Sequence, residues 1–530
     1  MLHNARIHTV DAGAPAAEAM AMRDGRIVAV GSDEAILRAY PEWQRRDAGG
    51  STVVPGFIDA HAHLMGLGRT MLQVRLVGTE SIDDVIARVR AFERELPAGA
   101  WLLGRGWDQN DWPEVRFPTA ADLDAAFPDR PVWLERVDGH AQWANSAAMR
   151  AAGIDPDAPA PPDPAGGRVL RDASGRPTGV FVDNAELLVV STVPAPGPAE
   201  LAARLRAALQ ETTAMGLTGI HEAGVRPETL SVYRRFIADG TFPIRVYGMV
   251  DGAGALLDDL CNSGPIDEGR LVVRALKLYA DGALGSRGAA LLEPYADDPD
   301  NSGHLLLEPS AILSTAARAM RCGLQVNVHA IGDRGARTVL DALDAAIRET
   351  GGGPGRHRLE HAQVVALEDI PRLAEIGIIA SVQPTHATSD MPWAEARVGA
   401  ERIRGAYAWR RLLDAGARLA LGSDAPAESI NPLLGFYAAI ARQDLNGSPP
   451  GGWYADQRLT RDEALRGFTI DAAYAGFMED DVGSLEVGKR ADFVILSADI
   501  MEIPVEEVPH VEVIATYLDG EAVYLAGAER

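Results

Sequence analysis

A recurrence limits the possible folds more than any other feature of this sequence. Eight short apolar runs, each closed by a turn or polar cluster, occur in the order STVVPGFIDAH, GLTGIHEAG, FPIRVYGMV, RALKLYADG, LQVNVHAIGD, HRLEHAQ, IIASVQPTH and ARLALGSDAP. From the second run onward they start roughly 20 to 50 residues apart, with helical segments such as SAILSTAARAMRCG between them. Strand followed by helix, repeated, implies parallel pairing, because two parallel neighbours need a long crossover between them. Eight such units predict an α/β fold with a closed (β/α)8 barrel; periodicity alone leaves an open doubly wound sheet as the alternative.

Residues 1–52 and 480–530 read differently from this middle. ARIHTV and EAMAMRDGRIVAVGS, with a hairpin signal at Asp24-Gly25, are short alternating strands, and so are GSLEVGKRADFVILSADI and VEVIATYLDGEAVYLAG. The two ends are expected to build one small β domain together, flanking a barrel domain over 53–479. The first and second runs are separated by too many residues for one helix, so 65–210 is expected to be an inserted subdomain. It holds five of the nine tryptophans, Trp101, Trp107, Trp112, Trp133 and Trp143. These either line a pocket for an aromatic or apolar substrate or fill the core of the insert.

A formal net charge of −25 repels phosphate backbones and anionic lipid, which disfavours nucleic acid and membrane surfaces as partners. A small-molecule substrate is the expected partner, with a homodimer possible. The only cysteines, Cys261 and Cys322, show no pairing pattern, so a disulfide is not expected. No basic-then-apolar leader and no long apolar span occurs, and the expected location is cytoplasmic.

The ends of the runs carry the chemistry. Side chains of a strand alternate faces, so His61 and His63 project together with Ala62 opposite, a pair able to grip one ion. Lys277, His329, His361 and Asp424 each lie late in another run, and in a barrel all these ends converge on one rim. Imidazole and carboxylate suit Zn2+, though other divalent metals accept the same ligands; such an ion with an open position generates hydroxide from water near neutral pH. Asp424 would take a proton from that water and pass it to a leaving amine. A desolvated Lys277 amine can add carbon dioxide to give a carbamate whose two oxygens could bridge two ions.

The ordered motifs VVPGFIDAHAH, the lysine strand ALKLYADGALGSR, VHAIGD, RLEHAQ and LALGSDAP resemble those of the amidohydrolase superfamily, and their wording is similar to its YtcJ-like branch, which includes N-substituted formamide deformylases. GWDQNDW, DGHAQWANSAA and GSLEVGKRADFVIL extend the resemblance over nearly the whole chain. It implies a distorted (β/α)8 TIM barrel beside a small β-sandwich-like domain from both termini. It also implies that His61, His63 and Asp424 bind the more buried metal, that His329 and His361 bind a second, and that carbamylated Lys277 bridges them. One or two Zn2+ ions per chain are expected.

Further candidates surround this set. His221 in TGIHEAG either contacts substrate from the rim or is a satisfied structural histidine, and His140 in DGHAQWAN either reaches over the barrel mouth to the carbonyl or its oxyanion or is a turn histidine bonded locally. In the glycine-rich loop ADGALGSRGAAL, Asp281, Ser286 or Arg287 would bind a substrate carboxylate or amide, and Trp107 would contribute to the pocket. Alternation would turn Glu360 away from the metals, toward Arg358 or a helix. His386 rivals His361 as a ligand, and His304 and His357 read as structural. The expected activity is hydrolysis of a C–N bond in an amide, formamide or N-acyl compound, with lactone, ester or small-peptide hydrolysis as the alternatives. Heterocycle deaminases of this fold carry a glutamate three residues after the fifth-strand histidine, where this chain has Gly332. A scaffold without activity would be expected to have lost ligands, and all six stand.

Overall fold

The computed structural model describes residues 1–527 apart from Glu95 and Ala98. Each of the eight runs forms a strand: β1 (Phe57–Ala62), β2 (Leu217–Val225), β3 (Arg245–Asp251), β4 (Leu271–Tyr279), β5 (Gln325–Ala330), β6 (Arg358–His361), β7 (Ile379–Val382) and β8 (Leu419–Leu421). They pair in parallel and in chain order around a nearly closed sheet, with helices packed outside. The barrel therefore stands and the open sheet falls.

The seam between β8 and β1 is closed by a side chain. Asp59 accepts hydrogen bonds from the Ser423 N–H (3.0 Å), the Ser423 hydroxyl (2.5 Å) and the His61 N–H (3.1 Å). The Asp424 N–H then reaches the His61 carbonyl at 2.7 Å, so two candidate ligands are tied to each other through the backbone.

The first and last segments of the chain share a sheet. Arg6–His8, Ala16–Ala17 and Thr52–Pro55 join Phe493–Leu496, Val513–Leu518 and Glu521–Leu525, and Val53 pairs in register with Ile495. One apolar cluster holds Leu2, Ile7, Met20, Val53, Phe493 and Tyr517. The insert has a six-stranded sheet of its own, running from Gly167–Arg171 through Pro177–Asp183, Ala141–Ala144, Val132–Arg136 and Leu102–Trp107 to Val74–Arg75.

The tryptophans divide between the two roles. Trp107, Trp112 and Trp143 sit in the insert's core, with their indole N–H groups donating to the carbonyls of Leu134, Thr79 and Thr119. Trp133 packs on Phe181 and also faces the barrel mouth.

One expectation is overturned. Cys261, in the helix Ala255–Ser263, is disulfide-bonded to Cys322, which ends the helix Pro309–Arg321. The two are 61 residues apart in sequence but lie on neighbouring outer helices, a proximity that cysteine spacing does not reveal. With the pair bonded, cysteine usage no longer argues for a reducing compartment. Among the described residues no helix is long and apolar enough to cross a membrane.

Candidate metal centre and active site

The strand ends meet as the barrel requires. His61 Nε2 and His63 Nε2 lie 3.5 and 3.3 Å from Asp424 Oδ1, and Lys277 Nζ lies 3.2 Å from His61 Nε2. The His361 ring stands 4.8 Å from that of His61 and 4.6 Å from that of His329, centroid to centroid. All line one cavity of about 1200 Å³ except His61, which is fully buried beneath it.

Whether these groups suit a cation is decided by their free atoms. His61 Nδ1 is engaged by Glu360 Oε2 at 2.5 Å and His361 Nδ1 by Gln383 Oε1 at 2.8 Å, which leaves both Nε2 atoms for an ion. Such partners fix tautomer and ring orientation in metal sites. The donor atoms of His61, His63 and Asp424 lie within 4.8 Å of one another, as do those of His361, His386 and Asp424. The residues therefore fit a divalent metal. His386 stacks on His361 and its Nε2 is 3.6 Å from Asp424 Oδ2, so it joins the second group, whereas His329 lies outside both.

Glu360 has the expected neighbour in Arg358, 3.8 Å away, but turns toward the site and not away from it, with Oε2 on His61. Arg358 and Glu360 both point into the lumen, and a left-handed backbone at His361 (φ 74°) and Ala362 (φ 43°) then swings the imidazole into the mouth. Strict alternation fails there. Burial opposes the charge on Glu360, but the adjacent His61 and Arg358 hold its carboxyl down at about 2. Burial lowers the Lys277 ammonium from its ordinary value, against the pull of Glu360 and Asp424. Asp424 also has left-handed backbone (φ 59°) in the turn after β8. Although buried, it is held well below the usual carboxylate range by the His63 hydrogen bond and the surrounding imidazoles.

The insert brings His140 to the cavity wall, its ring 5.2 Å from that of His329. Its Nδ1 is hydrogen-bonded to Asp183 Oδ1 at 2.6 Å, and His304 Nε2 lies 2.9 Å from Asp183 Oδ2. Burial works against the imidazolium, yet the Asp183 carboxylate raises His140 to about 9. The glycine-rich loop after β4 closes over this carboxylate: a Cβ at Gly282 or Gly288 would come within 2.5 or 2.3 Å of Asp183 Oδ2.

Other expected contacts lie elsewhere. Asp281 is fully buried and accepts the N–H groups of Ala290, Ile331 and Gly332, stapling the loop to the turn between β5 and the helix Asp333–Thr350. Arg287 pairs with Asp297 at 3.0 Å and does not line the cavity. Ser286 donates to the Ala283 carbonyl at 3.3 Å. His221 is buried in the lumen against Tyr247, below the cavity, and Trp107 is in the insert's core. A Cβ at Gly332 would meet the Ala290 carbonyl oxygen at 2.0 Å, so a glutamate has no room there.

Asp59, Gln383 and Asp183 complete the site and were not singled out in the sequence. Only Asp59 carried a signal, sitting two residues before His61 on the same strand face. Gln383 and Asp183 act across distant segments, which no local pattern shows.

Residues 44–524 match the profile of the amidohydrolase family, and residues 19–42 match that of an imidazolonepropionase-like composite domain of bacteria. YtcJ of Bacillus subtilis (strain 168), named as an amidohydrolase, is 35% identical over 98% of both chains. The N-substituted formamide deformylase of Arthrobacter pascens is 31% identical over 98% of this chain and 97% of its own. Among solved structures, a metal-dependent hydrolase of Pyrococcus horikoshii OT3 superposes with a TM-score of 0.77 at 27% identity, covering 95% of this chain and 98% of that one. The barrel, the converging ligands and these likenesses agree: the chain belongs to the amidohydrolase family, hydrolases of carbon–nitrogen bonds.

Proposed function

We propose that the protein hydrolyses the C–N bond of an N-substituted formamide, amide or N-acyl compound with zinc that His61, His63 and Asp424 would hold, a second ion that His361 would hold together with His329 or the nearer His386, and carbamylated Lys277 as the ligand the two would share. The observation that carries this reading is the meeting of six polar side chains, from five strand ends, at the floor of a large cavity. Bound there, a divalent metal polarises a carbonyl and makes water acidic enough to attack it.

The chain's own residues do the rest. Asp424, beside His63, accepts the proton of the attacking water and delivers it to the departing nitrogen. His140, its ring fixed by Asp183, faces the carbonyl from the opposite wall and donates to the oxygen as charge develops on it. Met65, Leu103, Trp133, Leu307 and Trp393 line the space beyond, which suits a bulky apolar substituent on the amide. Arg287, the anchor expected for the carboxylate of an N-acyl amino acid or dipeptide, pairs with Asp297 and does not line the cavity.

Protein stripped of metal and reconstituted with zinc is to be assayed on N-substituted formamides, N-acyl amino acids and lactones. Metal-dependent turnover of the formamides, with little on the acyl amino acids, is the expected result. Turnover confined to lactones, or full activity after exhaustive stripping, overturns the reading.

A further inference from the structure

Below the ring of ligands the barrel lumen is unusually polar. Barrels of this kind are commonly filled by layers of branched aliphatic side chains. Here His221, Tyr247, Asn327, Arg358, Glu360 and Ser381, from β2, β3, β5, β6 and β7, are all fully buried. The mechanism uses only one carboxylate oxygen of this group, the Glu360 Oε2 that holds His61.

Part of the cluster satisfies itself. Tyr247 Oη and Asn327 Nδ2 both donate to Gln325 Oε1 at 3.0 Å. Arg358 donates to the carbonyls of Ala60 (3.1 Å) and Ala475 (2.5 Å). Among the described residues the remainder has no hydrogen-bond partner: both ring nitrogens of His221, Asn327 Oδ1, Arg358 Nε, Glu360 Oε1 and Ser381 Oγ. These groups are close neighbours. The His221 ring and the Arg358 guanidinium carbon lie 5.1 and 5.4 Å from the Tyr247 ring, Arg358 Nη1 is 3.8 Å from Glu360 Oε1, and Ser381 is the cross-strand neighbour of Glu360.

The character of these atoms selects the ligand. Arg358 Nε is a donor only, Asn327 Oδ1 and Glu360 Oε1 are acceptors only, and His221 and Ser381 each offer both. A cation would use the lone pairs and be repelled by Arg358. An anion would use the donors and be repelled by Glu360. Water alone matches both sets without adding charge, and buried polar groups left by the protein are the usual place for ordered internal water.

We infer that the lumen is a binding site for a cluster of ordered waters, bridging His221, Asn327, Arg358, Ser381 and Glu360, and that these waters act through Glu360 to position His61. Held by water at Oε1, the carboxylate keeps Oε2 on the imidazole. His221 is thus a positioning residue, acting on His61 through Glu360. This rests on the lumen geometry and holds whichever amide is the substrate.

A high-resolution crystal structure of the zinc-loaded protein tests it directly. Expected are water peaks at about 2.6 to 3.2 Å from Glu360 Oε1, Asn327 Oδ1 and at least one His221 nitrogen. A dry lumen in which these atoms pair with one another, or a peak with the scattering of an ion, overturns it. The functional half is tested by zinc titration. The variant His221→Phe is expected to weaken zinc binding about tenfold, as loss of ligand support does elsewhere, and His221→Gln to restore most of it. If a folded His221→Phe protein binds zinc as tightly as the parent, the link from the waters to the metal centre is refuted.

Discussion

The barrel and the insert build one cavity by different means. In the barrel, ligands separated by hundreds of residues converge because every parallel strand ends on the same rim, so topology does the assembling. The insert has no such symmetry. It contributes His140 through a specific chain of contacts, from Asp183 to the imidazole and from Gly282 and Gly288 to the carboxylate. Position on a barrel strand therefore predicts which polar side chains meet at the rim, whereas the insert's contribution depends on side-chain reach across a domain boundary.

Substitutions on each side sharpen this contrast. Asp424→Asn, on the barrel side, is expected to lower kcat by on the order of 10³-fold or more while the fold persists, measured with the best formamide of the panel. Trp107→Ala, inside the insert's core, is expected to cost about 3–5 kcal/mol of that subdomain's stability, measured by denaturant unfolding, while the barrel still binds zinc. If zinc binding disappears with it, the two regions are not separable in the way described. His140→Asn is expected to reduce kcat by roughly 10²- to 10³-fold with zinc content unchanged, a separation of catalysis from metal binding that elemental analysis checks. Glu360→Gln should do the reverse, lowering zinc affinity by about 10- to 100-fold.

The last effect is a pH dependence. His140 is raised from 6.5 to about 9 in the folded protein, so its contribution to stability is fully present below pH 6.5 and is lost as pH rises through about 9. Unfolding measured across that window should show a decline in the parent that is absent from His140→Asn. An unchanged decline in the variant would assign it to other groups.

Much of this was legible in the sequence because it is periodic. The eight strands follow from apolar runs of the right length, and the polar residues gathered at the barrel mouth lie at the ends of those runs. The exceptions share a cause: backbone that leaves the regular strand. His361 and Ala362 adopt left-handed conformations, so Glu360 turned inward where alternation turned it out. Asp281 and Arg287 sit in a loop whose path is set by distant partners, and both were drawn into structural bonds. Cys261 and Cys322 meet only because adjacent outer helices bring them together. His221 was placed on the correct strand but at the wrong height, since its position along β2 lies below the rim.

The pairing of Val53 with Ile495 has a consequence for biosynthesis. About 440 residues separate the two strands, and at roughly 5–20 residues per second a ribosome needs tens of seconds to make that length. During that interval Thr52–Pro55 has no neighbour on its C-terminal side and exposes an unpaired edge. The sheet built from both termini therefore cannot be complete before the chain itself is.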